Sequence, residues 1–393
     1  MKKRYKIILV GLMVLFFTGW VGFIHIGLAQ EKVGTISGVS QKLAKIIAET
    51  PKCSAEVAKG CINPDAPRGY LDIPGAPKPS YLLAFLWALW VGWIFSTVGA
   101  FGGIMAGVGH ITVFGLGSYA KSFRDTNKAL NKFITDTIRV SNQFLVGLSA
   151  IISSISYART KQLCLPLGIA LGIGSIIGAT IIPWVTTGKV TAKAYTGLFG
   201  LVVFLVAGFM YYGTTKRALE KRKKTQEAAK RFQEAARQGS ATGEGVKLVC
   251  LKPTQCTISF YGVEFSFNLL LAAIGGMVIA AISSLIGVGG GFLLVPLMTD
   301  ILKLPMFIAA GTSAFAVLVS MITSIFNYMV QGVVVWWPLI GTELVGIFVG
   351  SLIGPRTQKY IPDIWLKRLF VLLALYVGIR YTSIGLFGKS ILP

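Results

Sequence analysis

The sequence predicts an all-α polytopic membrane protein, built from two copies of a helical unit and preceded by an N-terminal helix. Of its 393 residues, 54% are hydrophobic and only 13% are charged, and the mean hydropathy is +0.69. A soluble domain carries about 25% charged residues, so lipid must cover most of this chain. A weak internal repeat and glycine clusters inside long apolar segments predict the two copies, each with a broken helix and the second inverted in the membrane.

The charge of the chain is strongly one-sided. Thirty-eight Lys and Arg against 15 Asp and Glu give a net charge of +23. In a soluble protein this excess would suggest a nucleic-acid partner, but in a membrane protein it is typical of cytoplasmic loops. With lipid as the solvent we predict no nucleic-acid partner. Two histidines and scattered cysteines do not suit a haem or an iron–sulfur cluster, so we also predict no cofactor and no metal.

Residues 1–29 contain a basic flank and the apolar run Ile7–Leu28. This pattern fits a retained transmembrane helix or a secretory signal. Both alternatives place residues 30–80 on the periplasmic side of a bacterial cytoplasmic membrane. Cys53 and Cys61 lie in that segment, where an oxidising compartment favours a disulfide; two free thiols are the alternative.

The rest of the chain divides at a polar, basic stretch. We assign 81–213 to transmembrane repeat 1, 214–267 to a cytoplasmic basic insert and 268–388 to transmembrane repeat 2. Each repeat contains one apolar segment that is too long for one crossing, Leu82–Tyr119 and Asn268–Leu302. We expect each to form two half-length or tilted helices joined at its glycines, because a double crossing places the basic insert in the cytoplasm.

The insert carries ten Lys and Arg against four Glu between residues 214 and 248. Its spacing predicts a short surface helix, in which Glu227 and Arg231 form a favourable i,i+4 pair, lying near anionic headgroups. The loose alternation over Val246–Phe267 predicts a hairpin.

The internal repeat is weak but keeps its order. Ser96–Gly103 parallels Ser283–Gly290 at an offset of 187 residues, and Ile152–Ile155 parallels Ile322–Ile325 at an offset of 170. Each copy has five crossings when its double crossing is counted, and an odd number inverts the second copy. Inverted repeats that enclose a midplane site are a recurring plan of secondary transporters.

Glycine clusters mark the centre of each copy, at Gly102–Gly103 and Gly287–Gly291. Glycine permits the turn and brings the backbone close to a ligand, and the helix that begins there presents unpaired N–H groups and a positive dipole end. Such a helix end binds anions. The alternative is that the glycines only allow close helix packing.

Neutral polar side chains follow each glycine cluster. Asn142 and Gln143 align with Thr312 and Ser313 at the offset of 170. All four can donate hydrogen bonds to an oxyanion without neutralising it. The candidate substrate-binding residues are therefore Gly102, Gly103, Asn142, Gln143, Gly287, Gly289, Gly290, Gly291, Thr312 and Ser313.

Three ionisable residues are candidates for coupling. Glu343 lies seven residues into an apolar helix, and His110 follows the first glycine cluster. Ionisable residues inside a membrane are expensive and often functional, so either could carry a coupling proton; a structural role is the alternative for both. Arg139 could provide a fixed positive charge near Asn142, or it could extend to the interface.

The second copy resembles a known family. Ser283–Leu297 reads SSLIGVGGGFLLVPL and is followed by Ala310–Ser313, which is similar to the signature of the TauE/SafE sulfite exporter family. The resemblance covers about residues 81–387 outside the insert. The first copy departs from the signature, because Ala106–His110 replaces an apolar run to proline and Asn142 and Gln143 replace Thr-Ser.

The resemblance implies a multi-pass membrane transporter, not an enzyme. Its expected partners are the lipid bilayer and a small sulfur oxyanion, such as sulfite or a sulfonate, carried across the cytoplasmic membrane and often outward. The residues themselves indicate an anion but say nothing about sulfur, so another small anion or an organic acid is an alternative substrate. A membrane anchor or assembly subunit is the alternative outside transport.

Overall fold

The computed structural model describes residues 41–53, 60–98, 102–186, 200–205, 207–208, 211–212, 215, 223–237, 245–286, 291–388 and 390–392. The predicted N-terminal helix and Gly287–Gly290 lie outside these residues. The chain forms two units. The first comprises Met1–Pro79, His110–Ile138 and Tyr328–Trp336, and the second comprises Ser80–Gly109, Arg139–Asn327 and Trp337–Pro393.

The described residues are mostly helical. The helices, in chain order, are α1 (Gln41–Ala48), α2 (Tyr81–Val98), α3 (Gly102–Val108), α4 (Leu116–Ser122), α5 (Lys128–Arg159), α6 (Leu165–Thr186), α7 (Lys223–Arg237), α8 (Leu269–Ile286), α9 (Gly291–Pro296), α10 (Met306–Val330), α11 (Trp337–Gln358) and α12 (Asp363–Phe387). The strands are β1 (Lys247–Leu251), β2 (Gln255–Phe260) and β3 (Val263–Asn268).

Three of the described helices, α5, α10 and α11, are long and apolar enough to span a membrane by length and composition. Shorter apolar stretches occur in α2, α3, α6, α8 and α9. The predicted class of polytopic helical membrane protein agrees with this set of helices.

Both over-long apolar segments form two helices each. In the first segment α2 ends at Val98 and α3 begins at Gly102; in the second, α8 ends at Ile286 and α9 begins at Gly291. Both α3 and α9 continue into one π-helical turn. At a rise of about 1.5 Å per residue each resulting piece is roughly 17 Å long, about half of a hydrocarbon core of roughly 30 Å. The second helix of each segment is therefore half-length.

Close glycine contacts join α2 to α11 in the second unit. A Cβ atom at Gly346 would lie 2.4 Å from the carbonyl oxygen of Phe85, and one at Gly350 would lie 2.0 Å from that of Leu89. Both distances are too short for a real side chain, so only glycine permits this approach. Because the contacting positions increase together along both helices, α2 and α11 run parallel.

A second pair of helices, α6 and α8, repeats this arrangement. Cβ atoms at Gly174 and Gly178 would lie 1.9 and 2.3 Å from the carbonyl oxygens of Ala273 and Met277. These helices are also parallel. The two glycines precede Gly346 and Gly350 by 172 residues, so one packing motif occurs twice in the chain.

The insert departs from the all-α prediction. Its strands form one antiparallel sheet in the order β1-β2-β3. The expected hairpin is therefore present as β2 and β3, and β1 adds a third strand to it. Strand β1 is exposed along its whole length and lacks the alternation of buried and exposed residues that reveals a half-buried strand.

The predicted surface helix is present as α7 (Lys223–Arg237), and its buried face packs against the sheet and α10. The ring of Phe232 lies 4.6 Å from that of Phe307 in α10 and 5.8 Å from that of Phe260 in the sheet, measured between centroids. Thr225 donates to the carbonyl of Lys303 at 2.8 Å. The expected ion pair between Glu227 and Arg231 is present on the exposed face of α7.

The first unit contains the described residues 41–53 and 60–79. Cys53 and Cys61 are joined by a disulfide, with their Cα atoms 5.8 Å apart. The side-chain amide of Asn127 donates to the hydroxyl of Thr50 at 2.9 Å. The hydrogen bond joins the residues just after α1 to the residue that precedes α5.

Candidate functional site

The first glycine cluster begins a helix that folds back along α2. The indole N–H of Trp87 in α2 donates to the carbonyl of Met105 in α3 at 3.1 Å. Gly102 and Gly103 are buried, and a Cβ atom at Gly102 would lie 2.5 Å from the Cβ of Phe95. At Gly102, therefore, close packing against α2 is itself a reason for glycine.

Asn142 faces this folded-back helix. A Cβ atom at Gly107 of α3 would lie 3.3 Å from the amide nitrogen of Asn142, whose side chain is 4% exposed. The neighbouring Gln143 is 3% exposed, and its amide oxygen accepts no hydrogen bond. Two buried amides thus lie on α5, and the first of them lies against the helix that Gly102 and Gly103 begin.

The counterparts in the second copy have structural hydrogen bonds. Thr312 accepts a bond from the backbone N–H of Cys164 at 3.1 Å, and Ser313 donates to the carbonyl of Ala310 at 3.1 Å. Both hydroxyls are fully buried. Since a hydroxyl has one hydrogen and two lone pairs, Thr312 keeps its hydrogen for another acceptor. Gly291 is buried at the start of α9, whereas Gly287, Gly289 and Gly290 are outside the described residues.

Contacts between α5 and α11 set the depth of Glu343. The hydroxyls of Ser149 and Ser351 are 2.7 Å apart, and the hydroxyl of Tyr157 lies 2.8 Å from the amide oxygen of Gln358. These pairs are separated by 202 and 201 residues, so the two helices run parallel in nearly constant register. If this register is extended by two helical turns toward the N-termini of both helices, Glu343 of α11 lies level with residues 141–142 of α5.

The contacts of α3 with α5 and α2 also place Asn142 level with Glu343. Asn142 faces Gly107, and α3 is hydrogen-bonded close by to Trp87 of α2. Two residues earlier on α2, Phe85 packs on Gly346 of α11. Asn142 therefore lies level with the part of α11 that contains Gly346, less than one turn beyond the buried carboxyl of Glu343, which is 1% exposed.

The other coupling candidates differ in position. Arg139 is half-buried and lies one turn before Asn142 on α5, so it shares the depth of Glu343. His110 belongs to the first unit. It is fully buried in the π-helical turn after α3, with its ring edge-to-face against Phe114 at 5.6 Å.

The sequence reasoning missed a polar cluster at the end of α2. Tyr157 donates to the carbonyl of Ser96, and the amide N–H of Gln358 donates to the carbonyl of Thr97 at 2.9 Å. We call Ser96, Thr97, Tyr157 and Gln358 the C-terminal cluster, because each lies in the last turn of its own helix. A signal was present in the sequence, because Gln358 follows Glu343 by 15 residues on one buried face of α11.

Arg380 is a further buried charge that the sequence reasoning did not single out. It is 7% exposed in α12, and its guanidinium donates to the carbonyl of Leu392 at 3.0 Å. A lone arginine in the otherwise apolar stretch from 369 to 387 was the available signal.

Metal-binding side chains do not cluster in the described part of the chain. No group of three or more His, Cys, Asp or Glu residues there could hold a metal ion.

Half-length helices within apolar segments, with buried amides on α5 and one buried carboxyl on α11, are consistent with a multi-pass membrane transporter. A family model for the sulfite exporter TauE/SafE matches residues 83–381. The chain belongs to this family of membrane transporters.

Curated relatives agree with this class. The chain is 23% identical over 312 residues to the "Probable membrane transporter protein YunE" of Bacillus subtilis, which covers 78% of this chain and 100% of the relative. It is 33% identical over 115 residues to the "Probable membrane transporter protein MJ0441" of Methanocaldococcus jannaschii, which covers 28% of this chain and 43% of that relative. No solved structure matches the chain.

Proposed function

We propose that this membrane transporter carries a small sulfur oxyanion, such as sulfite or a sulfonate, outward across the bacterial cytoplasmic membrane. The observation that carries the proposal is the sulfite-exporter family match over residues 83–381, which includes the buried amides of α5. The side chains of Asn142 and Gln143 are buried, and their amide N–H groups can donate to an oxyanion.

The proposed substrate site lies between the two glycine clusters. Asn142 and Gln143 would donate from α5, Thr312 and Ser313 from α10, and the helix starts at Gly102–Gly103 and Gly287–Gly291 would supply backbone N–H groups. The burial of Asn142 against α3 supports the first half of this site. Neutral donors hold an anion without trapping it, which suits a transporter that must also release it.

We further propose that residues 81–213 and 268–388 are inverted repeats. The last core helix of each copy packs in parallel on the first helix of the other, α11 on α2 and α6 on α8. Within the first copy α5 runs parallel to α2, because both helices run parallel to α11. After a short loop α6 runs in the opposite direction to α5. Its counterpart α11 therefore runs opposite to α6, as an inverted second copy requires.

Glu343 is the proposed carrier of a coupling proton. Its carboxyl is buried at the depth of Asn142 and Arg139, so a change in its charge would act on an anion bound there. A proton carried by this carboxyl would couple the movement of protons to that of the anion. His110 is the second proposed carrier, since it is also fully buried.

Flux in proteoliposomes tests the substrate. Purified protein would be reconstituted and loaded in turn with labelled sulfite, thiosulfate, sulfoacetate and acetate. We expect saturable flux of a sulfur oxyanion that a pH gradient accelerates. Saturable acetate flux with no flux of the sulfur compounds would reassign the protein to organic acids, and no flux of any anion would contradict the proposal.

Two variants test the site. Asn142→Leu and Gln143→Leu should each lower sulfur-oxyanion flux at least tenfold, because losing one hydrogen bond to a charged group costs roughly 1.5–3 kcal/mol. Thr135→Val is the matched control on α5, since Thr135 only bonds the carbonyl of Asn131 one turn earlier. Wild-type flux in both leucine variants would remove the amides from the site.

A further inference from the structure

We propose that the C-terminal cluster is a binding site for a monovalent cation, with Na⁺ as the ion to test. The site is formed by oxygen atoms of Ser96, Thr97, Tyr157 and Gln358. It lies apart from the proposed anion site, because Tyr157 follows Asn142 by 15 residues of helix, about 22 Å.

Three helices end at this cluster. Ser96 and Thr97 are in the last turn of α2, Tyr157 is in the last turn of α5, and Gln358 is the final residue of α11. Each helix C-terminus carries roughly half a negative charge. Hydrogen bonds join the three ends, so these partial charges add at one place and favour a cation.

One hydroxyl hydrogen in the cluster is shared between two acceptors. The hydroxyl of Tyr157 lies within hydrogen-bonding distance of two acceptors, the carbonyl of Ser96 and the amide oxygen of Gln358, yet it has one hydrogen. The hydroxyl of Thr97 is fully buried and has no partner. A surplus of buried lone pairs is unfavourable in an apolar surrounding, and a cation satisfies several of them at once.

A second unpartnered hydroxyl lies close to the cluster in sequence. Ser153 lies one turn before Tyr157 on the same helix, and its hydroxyl is also fully buried without a partner. Hydroxyl, amide and carbonyl oxygens are ligands for hard cations. Divalent ions are usually bound through carboxylates, and none of the cluster residues has one, so a singly charged ion is the better match.

Three basic residues near the cluster in sequence are exposed or contact other groups. Arg159 and Arg356 are exposed, and the guanidinium of Arg356 donates to the carbonyl of Leu352 in its own helix at 2.8 Å. The ammonium of Lys359 lies 4.9 Å from the ring centroid of Tyr360. These side chains therefore leave the oxygens of the cluster to a mobile ion.

Binding here would connect ion occupancy to the first helix break. Thr97 is the residue before the end of α2, and the next described helix begins at Gly102. Carbonyls at helix ends are the groups that hold coupling cations in secondary transporters. An ion bound to them would fix the end of α2 against α5 and α11, and its release would free that end.

Thermal unfolding of the purified full chain in detergent tests the site without any sulfur oxyanion. NaCl would be titrated against choline chloride at constant ionic strength, with KCl as a second series. We expect a saturable rise of the melting temperature by about 3 °C once Na⁺ exceeds its dissociation constant a hundredfold.

Two variants localise the effect. Thr97→Val removes an unpartnered hydroxyl and should fold normally while weakening the Na⁺ response at least fivefold in concentration. Thr357→Val is the matched control at the end of α11, because the hydroxyl of Thr357 already accepts from the indole of Trp93 at 3.0 Å; it should lower stability but keep the Na⁺ response.

Two results would overturn the cation site. One is a wild-type melting curve that is the same in Na⁺, K⁺ and choline, and the other is an unchanged Na⁺ response in Thr97→Val. A response to K⁺ that equals the response to Na⁺ would keep the site and reject selectivity for Na⁺. A negative flux result for sulfur oxyanions does not affect any of these outcomes.

Discussion

The substitution Gly350→Ala tests the close approach of α2 and α11. The new Cβ atom would lie 2.0 Å from the carbonyl oxygen of Leu89 and 2.9 Å from the backbone nitrogen of Trp93. Both obstacles are backbone atoms, so no side-chain rotation relieves the clash and the helices must separate by about 1 Å. Overpacking of this kind costs roughly 1–3 kcal/mol, partly offset by up to about 1 kcal/mol of helix propensity gained by alanine.

The matched control is Gly341→Ala on the same helix. No atom lies within 4 Å of a Cβ placed at Gly341, so this variant gains the propensity without the clash. We expect Gly350→Ala to lower the free energy of unfolding in detergent by about 2 kcal/mol, roughly 30-fold in the unfolding constant, and Gly341→Ala to leave it unchanged or raise it. Equal stability of the two variants would refute the close packing of these helices.

Two predictions concern the insert. Phe232→Ala should detach α7, because it removes a buried ring that contacts both the sheet and α10, at a cost of roughly 3–5 kcal/mol. Detachment would be measured as faster cleavage of the insert by chymotrypsin. The control Glu234→Ala changes an exposed residue of the same helix and should be cleaved like the wild type. At pH 8 a maleimide should modify the exposed Cys250 quickly and the buried Cys256 slowly. Burial, and to a lesser extent the charge of the nearby Cys250, raises the pKa of the Cys256 thiol, which lowers the fraction of reactive thiolate. Mass spectrometry reports both rates, and equal rates would contradict the buried position of Cys256.

The sequence predicted those features that depend on local pattern. Long apolar runs interrupted by glycines indicated two helices per segment, and the structure has them, because consecutive glycines weaken a helix wherever it lies. Asn142 and Gln143 were singled out because they align with Thr312 and Ser313 at the offset of 170, and in the structure both side chains are buried.

The sequence could not show which distant residue each candidate site residue contacts or hydrogen-bonds. Thr312 and Asn142 look equivalent by offset, but the hydroxyl of Thr312 accepts a bond from Cys164, a contact between residues 148 positions apart. Gly102 is a candidate for the anion site, and its close contact with Phe95 depends on the packing of α3 along α2, which sequence spacing does not show. Long-range packing decides such roles, and no local spacing encodes it.

Gly354 connects the packing of α11 to the proposed cation site. A Cβ atom there would lie 1.9 Å from the hydroxyl oxygen of Ser96, and Gln358 reaches the carbonyl of Thr97 one turn later. Gly354→Ala should therefore push the end of α11 away from α2 and separate the oxygens of the C-terminal cluster. We expect the variant to lose the Na⁺-dependent rise in melting temperature, whereas Gly350→Ala, one turn earlier, should lower stability yet keep part of that rise.

The comparison of these two variants separates general loosening from a local effect. If the Na⁺ response depended only on overall stability, both alanine variants would weaken it in proportion to their loss of melting temperature. If the response comes from the cluster, Gly354→Ala loses it even where its melting temperature in choline equals that of Gly350→Ala. Equal Na⁺ responses at equal stability would show that the close contact at Ser96 serves packing alone, and the ends of α2 and α11 would then meet for structural reasons without an ion between them.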